Sequence, residues 1–173
     1  MTKTFRARRS CVNWSQPNTK LGVAWVALSA AVALHVTDEA LTGFLDVYNP
    51  TVVALRERLG WWPMPTLEYE VWRNGLIFGI VVLFLLAPLM FTNARVMRPL
   101  AYVFSVLMMG NALAHTLATI FGRTVATVRF SRPAPGFWSS PFLLMASAYL
   151  LVQLRRTRNT TPTDASPAHN SRI

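Results

Sequence analysis

Four apolar blocks alternate with short polar stretches along the 173-residue chain. They predict helices over residues 21–45, 74–91, 97–121 and 137–154. A helix needs about 20 apolar residues to cross the roughly 30 Å of hydrocarbon in a bilayer, and each block is close to that length. The pattern therefore predicts an all-α membrane protein, a four-transmembrane-helix bundle.

Residues 47–73, between the first two predicted helices, contain an unusual density of aromatic residues and prolines. Trp61, Trp62 and Trp72 all lie in this stretch. Tryptophan is enriched at the boundary between membrane and water. We predict an interfacial cap here, either re-entrant or lying on the membrane surface, and no fifth span.

Composition divides the chain into three parts and limits its partners. We expect a basic cytoplasmic segment over residues 1–20, the transmembrane domain over 21–154 and a disordered cytoplasmic tail over 155–173, which is rich in Thr, Pro, Ser and Asn. Only 14% of residues are charged, against about 25% in soluble domains. The net charge of +10 comes from basic residues at the ends of the apolar blocks. This placement is typical of binding to lipid headgroups, and we see no nucleic-acid-binding signature.

The distribution of Lys and Arg predicts the orientation. With both termini and the loop between the second and third helices in the cytoplasm, eleven basic residues lie inside and six outside. The positive-inside rule favours this arrangement, although Arg123, Arg129 and Arg132 then fall on the outer side. The small size favours a bacterial cytoplasmic membrane. The single cysteine, Cys11, permits no intramolecular disulfide.

Five polar residues inside two predicted spans form the candidate catalytic set. His35 and Glu39 are four residues apart on one helix face, and Asp38 flanks them. Asn111 and His115 have the same spacing in the third helix. At 1.5 Å per residue, both pairs lie roughly 21–27 Å from the inner ends of their helices. Each ionisable group inside a span costs about 3 kcal/mol or more, so such groups indicate function.

Four further residues at the same end are candidates for substrate binding. Glu70 and Trp72 flank the outer end of the second helix, and Trp138 and Ser139 open the fourth. Ordinary structural roles compete with these assignments. The acids would then be a solvated helix end, the Asn–His pair an interhelical hydrogen bond, the serine a helix start and the tryptophans interface anchors.

Three short motifs resemble those of the HXXEE family of small integral membrane proteins. They follow in order across residues 34–150: His35-Val-Thr-Asp38-Glu39, Asn111-Ala-Leu-Ala-His115, and Pro135-Gly136 with Ser139 shortly after. The first acid here is Asp38 where the family has Glu. The resemblance implies an architecture and a site more than a reaction. A fainter similarity, limited to His35 and Glu39, is to emopamil-binding-protein-like sterol isomerases.

Three functions are compatible with this set. The first is an enzyme that transfers protons on a lipid-, isoprenoid- or sterol-like substrate, with Glu39 as acid or base, His35 and His115 as partner and relay, and Asp38 and Asn111 orienting them. The second is a metal-dependent membrane hydrolase with zinc or iron on His35, Glu39 and His115. The third is a non-enzymatic proton-linked carrier or small-molecule sensor. Expected partners are membrane lipids, a hydrophobic small molecule and a second copy in a homodimer, with no nucleic acid.

Overall fold

The computed structural model describes residues 19–159, which form helices and one short β-hairpin. In chain order the elements are α1 (Thr19–Leu41), α2 (Phe44–Leu59), α3 (Tyr69–Leu85), α4 (Ala87–Phe91), α5 (Met97–Phe121), β1 (Arg123–Val125), β2 (Val128–Arg129) and α6 (Ser140–Asn159). Cys11 and the part of the tail beyond residue 159 lie outside the described residues, as does all of the basic segment except its last two residues. Residues 155–159, which were expected to begin the disordered tail, instead form the end of α6.

Three helices in the described part of the chain are long and apolar enough to cross a membrane. They are α1, the continuous stretch Tyr69–Phe91 formed by α3 and α4, and α5. This agrees with the membrane class predicted from the sequence. The second predicted helix, residues 74–91, begins five residues earlier than expected, at Tyr69. The predicted fourth helix exists as α6, but it begins at Ser140, three residues later than expected, and Arg155 and Arg156 lie in its last turns. Its apolar portion is consequently shorter than those of the other three.

The first helix ends four residues earlier than the sequence predicted. Gly43 has a φ of 74°, in the left-handed region that glycine adopts without steric cost, and the chain changes direction there. The following residues form α2, in which Val52 is buried and the other side chains are partly or fully exposed. The side-chain amide of Asn49 on α2 exchanges two hydrogen bonds of 2.9 Å with the backbone of Leu67. The predicted cap thus consists of the separate helix α2 and the segment that follows it, which is hydrogen-bonded to α2 through Asn49.

The core lies where α6 packs against both α1 and α5, and α4 packs against α1. Trp25 and Leu28 of α1, Met90 of α4 and Leu143 of α6 are almost completely buried. The indole N–H of Trp25 also donates to the carbonyl of Leu83, at 2.8 Å, and so links α1 to α3. Since α3 packs on α1 without extensive packing against α5, a groove remains between α3 and α5.

The hairpin after α5 is a small departure from the predicted all-α fold. Gly122, with a φ of 63°, ends α5 and lets the chain reverse into β1 and β2. The hydroxyls of Thr124 and Thr51 are 2.5 Å apart, which ties the hairpin to α2. Together α2 and the hairpin cover the end of the bundle at which α1 and α5 finish.

Candidate functional site

Two histidines and one glutamate meet at this covered end. His35 and Glu39 lie on α1 and His115 lies on α5, and each is less than a tenth exposed. Glu39 Oε1 is 3.1 Å from His115 Nε2 and 3.4 Å from His35 Nε2. One ligand atom from each of the three residues lies within 4.8 Å of the others. We refer to these residues as the His/Glu/His centre.

A hydrogen-bonded chain behind His35 fixes the orientation of its ring. The hydroxyl and the backbone N–H of Ser139 both donate to Asp38 Oδ2, at 2.8 Å. The Ser139 oxygen is then free to accept from Nδ1–H of His35, also at 2.8 Å. In a neutral ring, this arrangement leaves Nε2 of His35, which faces Glu39, as an unprotonated acceptor.

The ring of His115 is fixed in the same way by the backbone. Its Nδ1 lies 2.5 Å from the carbonyl oxygen of Pro135, and a carbonyl only accepts, so Nδ1–H is the donor. The unprotonated Nε2 of a neutral ring then faces Glu39. In residues 19–159, no lysine or arginine forms an ion pair with Glu39 or Asp38. A buried carboxylate that faces two lone pairs requires a cation, either a proton or a metal ion.

Gly136 closes the centre from the side of α6. A Cβ atom at this position would lie 3.0 Å from both His35 Cε1 and Glu39 Cγ and 3.1 Å from His115 Cε1. Its φ of 76° is a second reason why only glycine fits. The Gly136 N–H donates to the hydroxyl of Thr42, at 3.1 Å. The backbone therefore passes in direct contact with all three members of the centre.

Two threonines hold this turn in place, and neither is among the site residues predicted from the sequence. Thr42 binds the N–H of Gly136, and Thr119 accepts a hydrogen bond of 3.0 Å from the N–H of Ala134. Each lies four residues after a candidate residue, Asp38 or His115, and therefore on the same helix face. That spacing is the signal from which they are predictable.

Asn111 stands between the centre and two pockets. Its amide nitrogen is 3.0 Å from Nε2 of His35. A cavity of about 250 Å³, the lateral groove, reaches Asn111, His35 and Glu39 from between α3 and α5. A second cavity of about 180 Å³, the α2 pocket, reaches Asn111 and His115 from beneath α2 and the hairpin. The centre is thus accessible from the apolar flank of the bundle and from its covered end.

The four predicted substrate-binding residues have different positions. Ser139 is in the hydrogen-bonded chain described above. Trp72 is buried and stacks on Phe44, whose ring centroid is 6.0 Å from that of His115, so it supports one side of the centre. Glu70 is exposed and pairs with Arg73 on the first turns of α3. Trp138 is 66% exposed. The structure does not bring Glu70 or Trp138 to the centre.

The centre has the features expected of a metal site. Ligand atoms on a tetrahedral zinc ion, with bonds of about 2.0–2.2 Å, lie about 3.3 Å apart. The two distances from Glu39 to the histidines are 3.1 and 3.4 Å, and all three ligand atoms lie within 4.8 Å of one another. Metal-binding histidines usually donate their other N–H to a carbonyl, a carboxylate or water. His115 donates to the carbonyl of Pro135 in this way, and His35 donates to the hydroxyl of Ser139, which in turn donates to the carboxylate of Asp38. The Asn111 amide is the group that competes for Nε2 of His35.

Similarity to known proteins does not assign the site to a family. The functional interpretation of the His/Glu/His centre therefore rests on its own geometry and chemistry. The chain matches no protein-family model, no curated protein and no solved structure.

Proposed function

We propose that the protein is an integral membrane hydrolase that uses a zinc or iron ion held by His35, Glu39 and His115 and acts on a lipid-like substrate. The observation that carries this proposal is the fixed orientation of both histidines, whose Nε2 atoms face the same oxygen of Glu39. The buried carboxylate of Glu39 brings a negative charge that a bound cation would balance. Buried charges in proteins are paired or coordinate metals.

The residues around the centre have distinct roles in this proposal. A bound cation supplies Lewis-acid chemistry, by polarising a carbonyl or phosphoryl oxygen and activating water. Ser139, itself held by Asp38, keeps the ring of His35 in place, and the Pro135 carbonyl does the same for His115. The Asn111 amide, which lines both pockets, donates to the substrate oxygen on which negative charge develops.

The proposed setting is a four-transmembrane-helix bundle in a bacterial cytoplasmic membrane. In it, α6 is the fourth span, supported by its packing against α1 and α5. Both termini are cytoplasmic, so the His/Glu/His centre lies in the outer half of the bilayer. We also propose that the chain is a relative of the HXXEE family and forms a homodimer. Water reaches the centre through the α2 pocket, on the side of α2 and the hairpin.

Proton transfer without a metal is the second candidate function. It is favoured by the 3.0 Å contact in which the Asn111 amide satisfies the lone pair on Nε2 of His35. Glu39 and His115, at 3.1 Å, would then share a proton, with Glu39 as acid or base toward an isoprenoid- or lipid-like substrate.

Metal content of the purified full-length protein separates these two functions. We expect about one zinc or iron ion per chain in the wild type, as in catalytic sites with three protein ligands. His115→Ala and Glu39→Gln should lose the ion, because each removes one ligand atom. Glu70→Gln is the matched control, since this carboxylate is exposed and pairs with Arg73. Elemental analysis by mass spectrometry gives the metal-to-protein ratio.

Two results would contradict the proposed metal site. A folded wild type that binds neither zinc nor iron after both are supplied would exclude the hydrolase and leave proton transfer. Unchanged metal content in both His115→Ala and Glu39→Gln would show that the ion is bound elsewhere.

A further inference from the structure

The lateral groove has apolar walls from three helices and a polar inner end. The walls consist of Val32 and Val36 of α1, Leu76, Gly79, Ile80 and Leu83 of α3, and Phe104 and Met108 of α5. The inner end is formed by His35, Glu39 and Asn111. A ligand that fits both regions has a hydrocarbon part and a polar group, which is the composition of a membrane lipid.

The surroundings of the groove place its opening on the lipid side. Both of its flanking helices are candidate membrane spans. Beside the groove, α3 exposes Ile77, Phe78 and Val81, and α5 exposes Val103 and Leu107. Side chains of this kind face hydrocarbon when a helix crosses a bilayer. A molecule in the acyl region of the membrane can therefore reach the groove without passing through water.

The cavity is small and open toward the lipid side of the helices. Pockets for drug-sized molecules range from about 300 to 1,000 Å³, and this cavity, at about 250 Å³, is smaller. A flexible acyl or linear isoprenoid chain can insert part of its length while the rest stays in the bilayer, whereas a rigid fused ring system has to enter as a whole. The cavity therefore favours an acyl or linear isoprenoid chain over a sterol.

We propose that the lateral groove binds one hydrocarbon chain of the substrate, which enters sideways from the bilayer and presents a polar group to Glu39, His35 and Asn111. This inference rests on the proposed function, because it supplies that centre with its substrate class. The chain is held by apolar contacts with α1, α3 and α5, and specificity for single-chain substrates follows from the small volume of the groove.

Two glycines of α3 provide a matched pair of variants. Gly79 lines the groove, whereas Gly75, one turn earlier, does not. A Cβ atom at either position meets nothing within 4 Å. Leucine is therefore tolerated by the backbone at both sites, but only at Gly79 does it fill part of the groove. Met108→Trp narrows the same groove from α5 and gives a second, independent variant.

The experiment uses full-length protein in phosphatidylcholine nanodiscs and a C16 alcohol that carries a photoactivatable diazirine. Crosslinked peptides are mapped by mass spectrometry. We expect labelling of groove residues in the wild type and in Gly75→Leu, and about tenfold less in Gly79→Leu and Met108→Trp, equivalent to about 1.4 kcal/mol of lost binding. A diazirine-bearing sterol should not label the groove.

Two results would overturn the inference. One is equal labelling in wild type, Gly79→Leu and Met108→Trp, which would mean that the chain lies on the general lipid-facing surface. The other is a wild type whose groove residues stay unlabelled in nanodiscs that hold two copies of the chain but become labelled in nanodiscs that hold one, which would make the groove a dimer contact. Metal content, measured on the same samples, separates this inference from the proposed function, because Gly79→Leu leaves all three ligand residues in place.

Discussion

Oε1 of Glu39 lies 3.1 Å from Nε2 of His115, although one residue is on α1 and the other on α5. This contact between α1 and α5 depends on α6 and on the turn that precedes it. Helix α6 packs against both, and the turn before it inserts Gly136 between the side chains. The geometry of the centre therefore depends on the turn at residues 134–139 as much as on the helices that carry its ligands.

A methyl group at Gly136 should disrupt the centre. In Gly136→Ala the new Cβ would be about 3 Å from His35, Glu39 and His115 at once, too close for van der Waals contact. The matched control is Gly60→Ala, since Gly60 also has a left-handed backbone, with a φ of 71°, but a Cβ there meets nothing within 4 Å. Both variants carry the backbone strain of about 1–2 kcal/mol. We expect loss of bound metal only in Gly136→Ala.

The measurement is metal content together with thermal unfolding of both variants. A larger loss of stability in Gly136→Ala than in Gly60→Ala, with metal lost only in Gly136→Ala, would confirm that the contact acts on the centre. Full metal content in Gly136→Ala would show that the side chains of the centre can move away from the turn without cost.

Removing the hydroxyl of Ser139 should weaken metal binding without abolishing it. Ser139→Ala leaves Nδ1 of His35 without its acceptor and separates the ring from Asp38. Loss of such a partner behind a metal ligand typically costs 10- to 100-fold in affinity, and we expect a decrease of about that size. Ser147→Ala is the control, because its buried hydroxyl donates only to the carbonyl of Leu143 in the same helix. Competition with a chelator measures the metal affinity of each variant. Equal affinities in the wild type and Ser139→Ala would show that the hydrogen-bonded chain from Asp38 through Ser139 to His35 does not contribute to metal binding.

Hydrophobic pattern and helix periodicity were sufficient to locate the long helices and to place the members of the centre at one level along the bundle. The third predicted helix has the same bounds as α5, because its apolar run is followed directly by Gly122. His35, Glu39 and His115 were predicted to lie at one level, and the structure brings them together. Both inferences need only the rise per residue and the spacing along one helix.

The hydrophobic pattern does not predict in which direction a side chain points around the helix axis, or where the backbone turns. Glu70 was placed at the correct end of its helix, but it faces outward toward Arg73, and depth does not determine that direction. The end of α1 at Leu41 depends on a single left-handed glycine, Gly43, inside an otherwise apolar stretch. The strands of the hairpin are two and three residues long, too short for an alternating pattern to be recognised.

Replacing Asn111 tests whether its amide competes with a metal ion for His35. Its amide is 3.0 Å from Nε2 of His35, so a metal ion must displace it. If the centre binds metal, Asn111→Leu should bind Co²⁺ at least as tightly as the wild type, because the competing donor has gone. Asn74→Leu, an exposed position on α3, is the control. Visible absorption of bound Co²⁺ gives the affinity. A large loss of affinity would mean that Asn111 is itself a ligand.

Cysteine accessibility determines the orientation of the bundle. After Cys11→Ser removes the native thiol, Leu59→Cys places a label at the end of α2, and Val96→Cys places one between α4 and α5. Both parent side chains are exposed, at 39% and 74%, so either thiol can react. With the termini inside, a membrane-impermeant maleimide added to intact cells should label Leu59→Cys and spare Val96→Cys until the membrane is opened. The reverse pattern would place the His/Glu/His centre in the cytoplasmic half of the bilayer, and a cytoplasmic substrate pool would then supply it.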